Sequence, residues 1–157
     1  MSDNEPIGLL IGAVRRRIKQ AVTSRARLYR LTPQQFWVMV ALHERPGLAL
    51  GQLAARLRMD EPTASRVVGA LMNRQLVQVR GDQADRRRAC LFLGAQGEPL
   101  AKELQELAAA VRNAVVDGLS ERDQTALRTF LRRIIANMER FRDADDSELE
   151  LGRAQQQ

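Results

Sequence analysis

The chain has 157 residues, of which 45% are hydrophobic and 28% are charged, so it is suited to one domain with a buried core rather than a disordered tail. The longest stretch without Asp, Glu, Lys or Arg is the 13-residue run Leu31–His43, too short to cross a bilayer. One cysteine and one histidine exclude an internal disulfide and leave too few ligands for a structural zinc site. No export signal is predicted, and we expect a cytoplasmic protein without a metal or a cofactor.

Charge is unevenly distributed along the chain. Residues 1–96 contain 16 Lys and Arg against 7 Asp and Glu, a net charge of +9, whereas residues 97–157 contain 9 against 12, a net charge of −3. This asymmetry indicates contact with a polyanion on one side only, although well-solvated basic helices would give the same counts. Aromatic residues make up only 4%, so base stacking with single-stranded nucleic acid is not expected.

The first predicted element is an amphipathic helix that ends near residue 30. Its apolar positions are spaced by three and four residues and its other face is basic. The apolar positions are Ile7, Leu10, Ile11, Val14, Ile18 and Val22, and the basic ones are Arg15, Arg16, Arg17, Lys19, Arg25 and Arg27. A new helix is predicted from Thr32, since threonine caps, Pro33 suits the first turn and Gln35 stands where a capping-box partner would. Pro46-Gly47 predicts its end.

Two short helices separated by a few residues are predicted next. Leu48–Leu50 is compatible with a brief strand, and Gly51–Leu57 with a short helix. Asp60 then offers a side-chain cap, with Pro62 in the first turn and the helix continuing to Arg74. This arrangement predicts a helix-turn-helix.

A β-hairpin is predicted directly after the helix-turn-helix, where such a hairpin forms a wing. Apolar and polar residues alternate in Leu76–Arg80 and in Arg88–Leu93, as is typical of strands. In the second strand, Ala89, Leu91 and Leu93 share one apolar face. Polar residues 81–85 separate the two strands. Cys90 lies in the second strand, where a small strand residue is a simpler interpretation than a reactive thiol.

The C-terminal part predicts two more amphipathic helices. One runs from Leu100 to Gly118, and the other follows a capping-box-like pair, Ser120 and Asp123, and continues to Arg142. With the first helix, these helices carry apolar stripes that need a partner, and a second copy of the chain is the simplest one.

The predicted fold is therefore mainly α with a small β-wing, comprising about six helices and a two- to three-stranded hairpin sheet. We expect a helical dimerisation region at 7–30 and 97–142. A winged helix-turn-helix DNA-binding domain is expected at 31–96, and an acidic, flexible tail at 143–157.

The N-terminal end of the second short helix carries the main candidates for reading DNA. Pro62, Thr63, Ser65 and Arg66 cluster there, and the helical period directs Ser65 and Arg66 away from the core. A recognition helix enters the major groove by this end, where backbone N–H groups favour phosphate and arginine reaches guanine edges. The alternative is that Thr63 and Ser65 only cap the helix and Arg66 is solvated.

The hairpin loop carries candidates for the minor groove. Three consecutive arginines, Arg86, Arg87 and Arg88, suit the negative potential of a narrow A·T tract. Asp85 beside them would accept a hydrogen bond from a guanidinium and fix its direction. An ordinary charged hairpin tip is the alternative.

Four stretches of this sequence resemble a known family. They are Leu31-Thr-Pro-Gln-Gln-Phe, Leu53-Ala-Ala-Arg-Leu, Thr63-Ala-Ser-Arg-Val-Val-Gly-Ala-Leu, and Leu76-Val to Asp85-Arg-Arg with Leu93 and Gly97. Their order and spacing are similar to those of the MarR family of bacterial and archaeal regulators, over about residues 7–142. The resemblance implies a homodimeric winged helix-turn-helix regulator, usually a repressor that leaves its operator when it senses a small molecule or an oxidant.

By this resemblance, the cluster at the start of the second short helix reads the major groove, and Asp85, Arg86 and Arg87 form the minor-groove element of the wing. The recognition helices of a dimer would lie one DNA turn apart, about 34 Å, on a pseudo-palindromic operator.

The sequence departs from the family pattern at three positions. Ala84 replaces a frequent arginine of the wing, and Gln75 replaces a frequent glycine at the end of the recognition helix. Gly94 replaces a frequent threonine, which weakens the cap of the next helix. Peroxide-sensing relatives carry a cysteine near the start of the first long helix, and this chain has none there.

The resemblance also implies an effector site for aromatic carboxylates or phenols, between the dimerisation helices and the DNA-binding module. An arginine beside aromatic rings suits a carboxylate. The candidate pocket residues are Arg15, Arg16, Lys19, Tyr29, Trp37 and His43. For each of these residues, core packing or solvation is the simpler interpretation.

Several alternatives to a specific regulator stay open. They are an architectural protein that binds DNA without sequence preference, a protein–protein adaptor, and a regulator that senses oxidants through its cysteine. An enzyme is not expected, because His43 has no nucleophile at a recognised spacing and the chain has no glycine-rich phosphate loop or His/Glu metal motif.

Overall fold

The computed structural model describes the backbone of residues 4–81 and 89–154 and the side chains of residues 4–81 and 89–143. Within these ranges the chain forms six α-helices, one 3₁₀ turn and one two-stranded antiparallel sheet, so the predicted class is confirmed. The elements are α1 (Ile7–Ala26), the 3₁₀ turn (Arg27–Tyr29), α2 (Pro33–Glu44), α3 (Leu50–Leu57), α4 (Glu61–Asn73), β1 (Val77–Gly81), β2 (Ala89–Leu93), α5 (Gly97–Val116) and α6 (Glu121–Ala154). None of the described helices combines the length and the apolar character needed to span a membrane.

The chain divides into two compact units, residues 1–115 and 116–157. In the first unit α2 is the central helix, because it packs against α1, α3, α4 and β2. Its residues 38–42 are all buried, as expected for a helix that is apolar on every side. The largest fully buried side chains of the other elements are Val22, Leu53, Leu71 and Leu104.

The start of α2 is the capping box that the sequence predicts. The Gln35 N–H donates to the Thr32 hydroxyl at 3.2 Å, and the Thr32 N–H donates to the Gln35 side-chain oxygen at 2.9 Å. The end of α2 is also confirmed, since the helix stops at Glu44 and the chain turns at Gly47, where φ is +81°. The residues that determine the start and the end of α2 thus lie within a few positions of those ends.

The brief strand expected at Leu48–Leu50 is correct only at its first residue. Leu48 forms an isolated bridge to β2, in which the Leu91 N–H donates to the Leu48 carbonyl at 2.8 Å. Leu50 instead begins α3, and the Ala49 N–H donates to the Gln52 side-chain oxygen at 2.9 Å. The glutamine thus satisfies an N–H group that a strand would have paired, which favours the helix start.

In the C-terminal helices the structure confirms the predicted start of α6 and corrects its predicted end. The Ser120–Asp123 capping box is present, with the Asp123 N–H donating to the Ser120 hydroxyl and the Ser120 N–H donating to the Asp123 carboxylate, both at 3.2 Å. However, α6 continues to Ala154, so the expectation that the helix ends near Arg142 is wrong. Residues 143–151 contain no proline or glycine, and their leucine, alanine and glutamates favour helix despite the acidic charge.

Candidate nucleic-acid interface

The turn between α3 and α4 gives α4 a defined starting point. Arg58 ends α3 in the left-handed region, with φ at +50°, and the Met59 N–H donates to the Ala54 carbonyl at 3.0 Å. Asp60 then caps α4, because its carboxylate accepts from the Thr63 N–H at 2.7 Å. The predicted helix-turn-helix is therefore present, with residues 58–60 as its turn.

The packing of α4 leaves one face free for a partner. Ala64, Val67, Val68 and Leu71 are buried, and α4 contacts α2, α3 and β1 through this side. The side chains of Pro62, Ser65 and Arg66 are exposed, as the helical period predicted. Within the described ranges, the Ser65 hydroxyl and the Arg66 guanidinium make no hydrogen bond, so their polar groups are available to a partner.

Thr63 differs from its neighbours because its polar groups are already committed. Both its N–H and its hydroxyl donate to Asp60, the hydroxyl at 3.0 Å. These hydrogen bonds, with the Arg66 charge as a smaller contribution, hold the pKa of Asp60 below its ordinary value. A carboxylate therefore already occupies the anion-binding end of α4, and a DNA phosphate there would compete with it.

The other end of α4 is anchored by a residue that the sequence analysis missed. The Arg74 guanidinium donates to the carbonyls of Arg30 at 2.9 Å and Tyr29 at 3.3 Å, which ties the end of α4 to the 3₁₀ turn. No local pattern reveals this contact, since 44 residues separate Arg74 from Arg30. The anchor limits how far α4 can tilt.

Two of the three departures from the family pattern lie next to each other. Gln75 adopts a left-handed conformation with φ at +57°, which is the conformation that glycine favours. A Cβ atom at position 94 would overlap the Gln75 carbonyl oxygen, so a threonine does not fit there. The Gly94 carbonyl caps α5 in its place, by accepting from the Gly97 N–H at 2.8 Å and the Glu98 N–H at 3.0 Å.

The wing is present as an antiparallel pair of strands. Its register pairs Val77 with Leu93 and Gly81 with Ala89. Residues 82–88 lie outside the described residues, and with them the predictions for Ala84, Asp85, Arg86, Arg87 and Arg88.

The strands of the wing correct the predicted side-chain alternation of β2 and reveal one further candidate DNA-contacting residue, Arg80. Ala89 is exposed and Cys90 is only 6% exposed, so the expected alternation fails at the loop end of β2, where the strand extends past the core. The Arg80 guanidinium lies 5.1 Å from the centre of the Phe92 ring. This cation–π contact holds a further exposed cation on the wing that the sequence analysis did not single out.

Among the candidate effector residues, Trp37 lines a cavity in the part of the chain that the structure describes. This cavity of about 210 Å³ is bounded by Trp37, Ala41, Glu44, Arg56, Leu57 and Arg112. Arg112 is a cation that sequence reasoning did not connect with Trp37, and its guanidinium lies 5.6 Å from the centre of the indole ring.

The other candidates lie elsewhere. Arg15, Arg16 and Lys19 are exposed on α1. The His43 Nδ1 lies 3.9 Å from a Glu98 carboxylate oxygen. Burial and the nearby Glu103 carboxylate raise the pKa of Tyr29, which indicates surroundings that disfavour an anionic ligand at that phenol.

A polar cluster that we name the Glu44 clasp forms one wall of the same cavity. One Glu44 carboxylate oxygen accepts from Arg56 at 2.8 Å, and the other accepts from Arg112 at 2.6 Å and from the Gln105 amide at 3.3 Å. Partial burial opposes ionisation of Glu44, but the hydrogen bonds from Arg112, Arg56 and Gln105 outweigh it and lower its pKa. The clasp joins α2, α3 and α5 through a single carboxylate.

In residues 4–81 and 89–143, no group of three or more His, Cys, Asp and Glu side chains is arranged to hold a metal ion.

The fold and the exposed face of α4 define a winged helix-turn-helix protein. A sequence model of the MarR family matches residues 31–88. The HTH-type transcriptional regulator BilQ of Clostridium symbiosum (strain WAL-14163) is 28% identical over 98 residues, which is 62% of this chain and 68% of BilQ.

Solved structures of transcription regulators share the fold of this chain. BpsR of Bordetella bronchiseptica, whose DNA binding is regulated by 6-hydroxynicotinic acid, has a TM-score of 0.69 and 25% identity, covering 85% of this chain and 96% of its own. The MarR transcription regulator of Oenococcus oeni PSU-1 has a TM-score of 0.79 and 18% identity, covering 83% and 99%. The resemblance seen in the sequence is confirmed over residues 31–88, which match the MarR family model, and the curated relatives that the chain resembles are transcriptional regulators.

Proposed function

We propose that this protein is a homodimeric transcriptional regulator that binds specific DNA, with α4 in the major groove and the wing in the minor groove. The observation that carries the proposal is the division of α4 into two faces. Ala64, Val67 and Leu71 fix the helix to the core, while Ser65 and Arg66 project from its N-terminal half with their polar groups uncommitted. An exposed arginine at this end of a helix-turn-helix is placed to reach guanine O6 and N7.

Electrostatics support a duplex as the partner. The net charge of +9 over residues 1–96 is concentrated in the part of the chain that includes the module. Neutralising phosphates releases counterions, which favours binding at low salt. Because Asp60 occupies the helix end, phosphate contacts are assigned to exposed cations such as Arg80, and base reading in the major groove is assigned to Ser65 and Arg66.

Uncovered apolar side chains support a homodimer. Ile7, Leu9 and Val14 of α1 are more than half exposed, and so are Phe130, Met138 and Phe141 of α6. Burying one such side chain contributes about 1.5–3 kcal/mol, so an association that covers this set is strongly favoured. A second copy carries the same apolar set, and the dimer then presents two matching recognition helices, one from each copy, which fits a pseudo-palindromic operator.

Regulation by a small ligand is the second part of the proposal. We propose that the protein is a repressor whose operator affinity falls when a small aromatic acid or phenol binds. The cavity beside Trp37 supports this, because it combines an indole ring and the aliphatic Leu57 with two guanidinium groups that are bridged by Glu44. The example of BpsR and 6-hydroxynicotinic acid supports the same class of ligand.

The alternatives have less support from the described residues. A regulator that senses oxidants through Cys90 is disfavoured, since that thiol is only 6% exposed and oxidants attack accessible thiolates. An architectural protein or an adaptor would have no need for the free polar groups on the reading face of α4.

Selection from random-sequence DNA duplexes tests the proposal with the full chain. We expect a pseudo-palindrome to be enriched, and a gel-shift titration to give at least about 10³-fold tighter binding to it than to random duplex at physiological salt. Equal affinity for all duplexes would identify an architectural protein, and no binding would identify an adaptor. Either result contradicts the proposed function.

A further inference from the structure

In the part of the chain that the structure describes, the Glu44 clasp ties the helix-turn-helix to α5 through a single carboxylate. Glu44 is the last residue of α2, Arg56 lies on α3, and Gln105 and Arg112 lie on α5. The two arginines use different oxygens of the carboxylate, so Glu44 bridges α3 and α5 at the separation seen in the structure. Hydrogen bonds of this type weaken beyond about 3.2 Å, which makes the clasp sensitive to small movements.

The surroundings strengthen the clasp. The Glu44 side chain is 19% exposed, so the pairs are less screened than ordinary surface ion pairs. The Trp37 ring contacts the Arg112 guanidinium as well, so α2 holds this cation through two side chains. Without the carboxylate, two guanidinium groups would face the same cavity with no counter-charge, and their repulsion would drive α3 and α5 apart.

We propose that Glu44 is a positioning residue that fixes the angle between the α3–α4 pair and α5, and that it thereby sets the separation of the two recognition helices in the dimer. This inference rests on the proposed function, since it needs a dimer that reads two half-sites. The clasp carries no base contact, so it determines which spacing between half-sites is bound and leaves the half-site sequence unchanged.

DNA geometry makes spacing a sensitive readout of this angle. Each added base pair moves a half-site by about 3.4 Å along the duplex and by about 35° around it. A dimer with fixed recognition helices tolerates one spacing only. A dimer whose α3–α4 pairs swing against α5 tolerates neighbouring spacings and binds the best one less tightly, because the swinging motion must be lost on binding.

The test uses the full chain and duplexes that carry the selected half-sites with the spacer shortened or lengthened by one base pair. Wild-type protein should lose about tenfold or more in affinity for either change. Glu44→Gln should lose less than about threefold between spacers while enriching the same half-site in selection. Arg112→Gln keeps the Glu44–Arg56 pair but removes the contact with α5, so it should also reduce the dependence of affinity on spacer length. This second variant tests the proposal if Glu44→Gln does not fold.

The matched control is Lys102→Gln, which removes one positive charge from an exposed position of the same helix and should keep the wild-type dependence on spacing. The double variant E44Q/R112Q should keep at least as large a difference in affinity between spacer lengths as E44Q alone. The reason is that removing Arg112 also removes its repulsion from Arg56.

Two outcomes separate the inference from the proposed function. If Glu44→Gln and Arg112→Gln fold, bind the operator and keep the wild-type dependence on spacing, the positioning role is wrong and the proposed function stands. If the wild-type protein shows no preference for paired half-sites at all, the proposed function fails and the inference fails with it.

Discussion

The outward faces of α4 and α6 have opposite chemistry, although both helices belong to one chain. The exposed side of α4 carries Ser65 and Arg66, and that of α6 carries Phe130, Met138 and Phe141, each more than half exposed. Water solvates the first face at little cost, whereas it penalises the second. The difference indicates that α4 exchanges water for a polar partner on demand, while α6 needs a partner of protein character at all times.

The strongest test of this comparison is to make the face of α6 resemble that of α4. Phe130 and Met138 lie on one side of the helix, and changing both to Asp places charge at positions that we propose to be buried between two copies. We expect the dimer to dissociate, and operator affinity to fall by about 10²-fold or more because two linked half-site contacts become independent. Sedimentation equilibrium and gel shifts measure both effects.

The control for this variant is Arg132→Asp, which introduces one acidic residue at an exposed polar position of the same helix. It should leave the dimer intact. A double variant that stays dimeric would show that the apolar face of α6 has another purpose.

The second test removes the proposed base-reading group of α4, the Arg66 guanidinium, and leaves the buried face of the helix unchanged. Arg66→Ala should weaken operator binding by about 1–3 kcal/mol and relax the base preference at one position of each half-site. Its control, Arg132→Ala, makes the same change in net charge on α6, which we do not propose to contact bases. Equal losses in the two variants would mean that the effect of Arg66 is general electrostatics, and that α4 does not read bases.

The comparison also separates what the sequence predicts from what it does not. The cap of α4 by Asp60 and the outward direction of Ser65 follow from residues within one or two helical turns, and the structure has both. Glu44 meets Arg56 and Arg112 across 12 and 68 residues, and Arg74 meets Arg30 across 44. Such contacts follow from the packing of whole helices, which no local pattern encodes.

A third test uses pH to examine the support behind α4. Glu44 has a lower pKa in the folded chain than its ordinary value of 4.5, so its carboxylate stabilises the fold above that pH and loses this effect as pH falls through the folded pKa. Glu44→Gln should therefore be less stable than wild type by about 1 kcal/mol at pH 7, since its pairs are partly exposed to solvent.

The difference in stability between Glu44→Gln and the wild-type protein should disappear in acid. Urea unfolding at pH 7 and at pH values below 4.5 measures it, and Glu139→Gln, an exposed carboxylate of α6, is the control with a small effect at either pH. A stability difference that stays constant down to strong acid would show that Glu44 contributes through packing and not through its charge.

The smallest expected effect concerns the junction after α4. Gln75 holds a left-handed conformation, which costs an L-residue about 1–2 kcal/mol, and glycine removes that cost. Glycine also gains freedom in the unfolded chain worth about 0.5–1 kcal/mol, so Gln75→Gly should stabilise the protein by less than about 1 kcal/mol. The reverse change on the facing residue, Gly94→Ala, should destabilise it by much more, because the added Cβ overlaps the Gln75 carbonyl oxygen. Thermal unfolding of the two variants compares them directly, and a stabilising Gly94→Ala would mean that this junction relaxes freely and does not fix the end of the recognition helix.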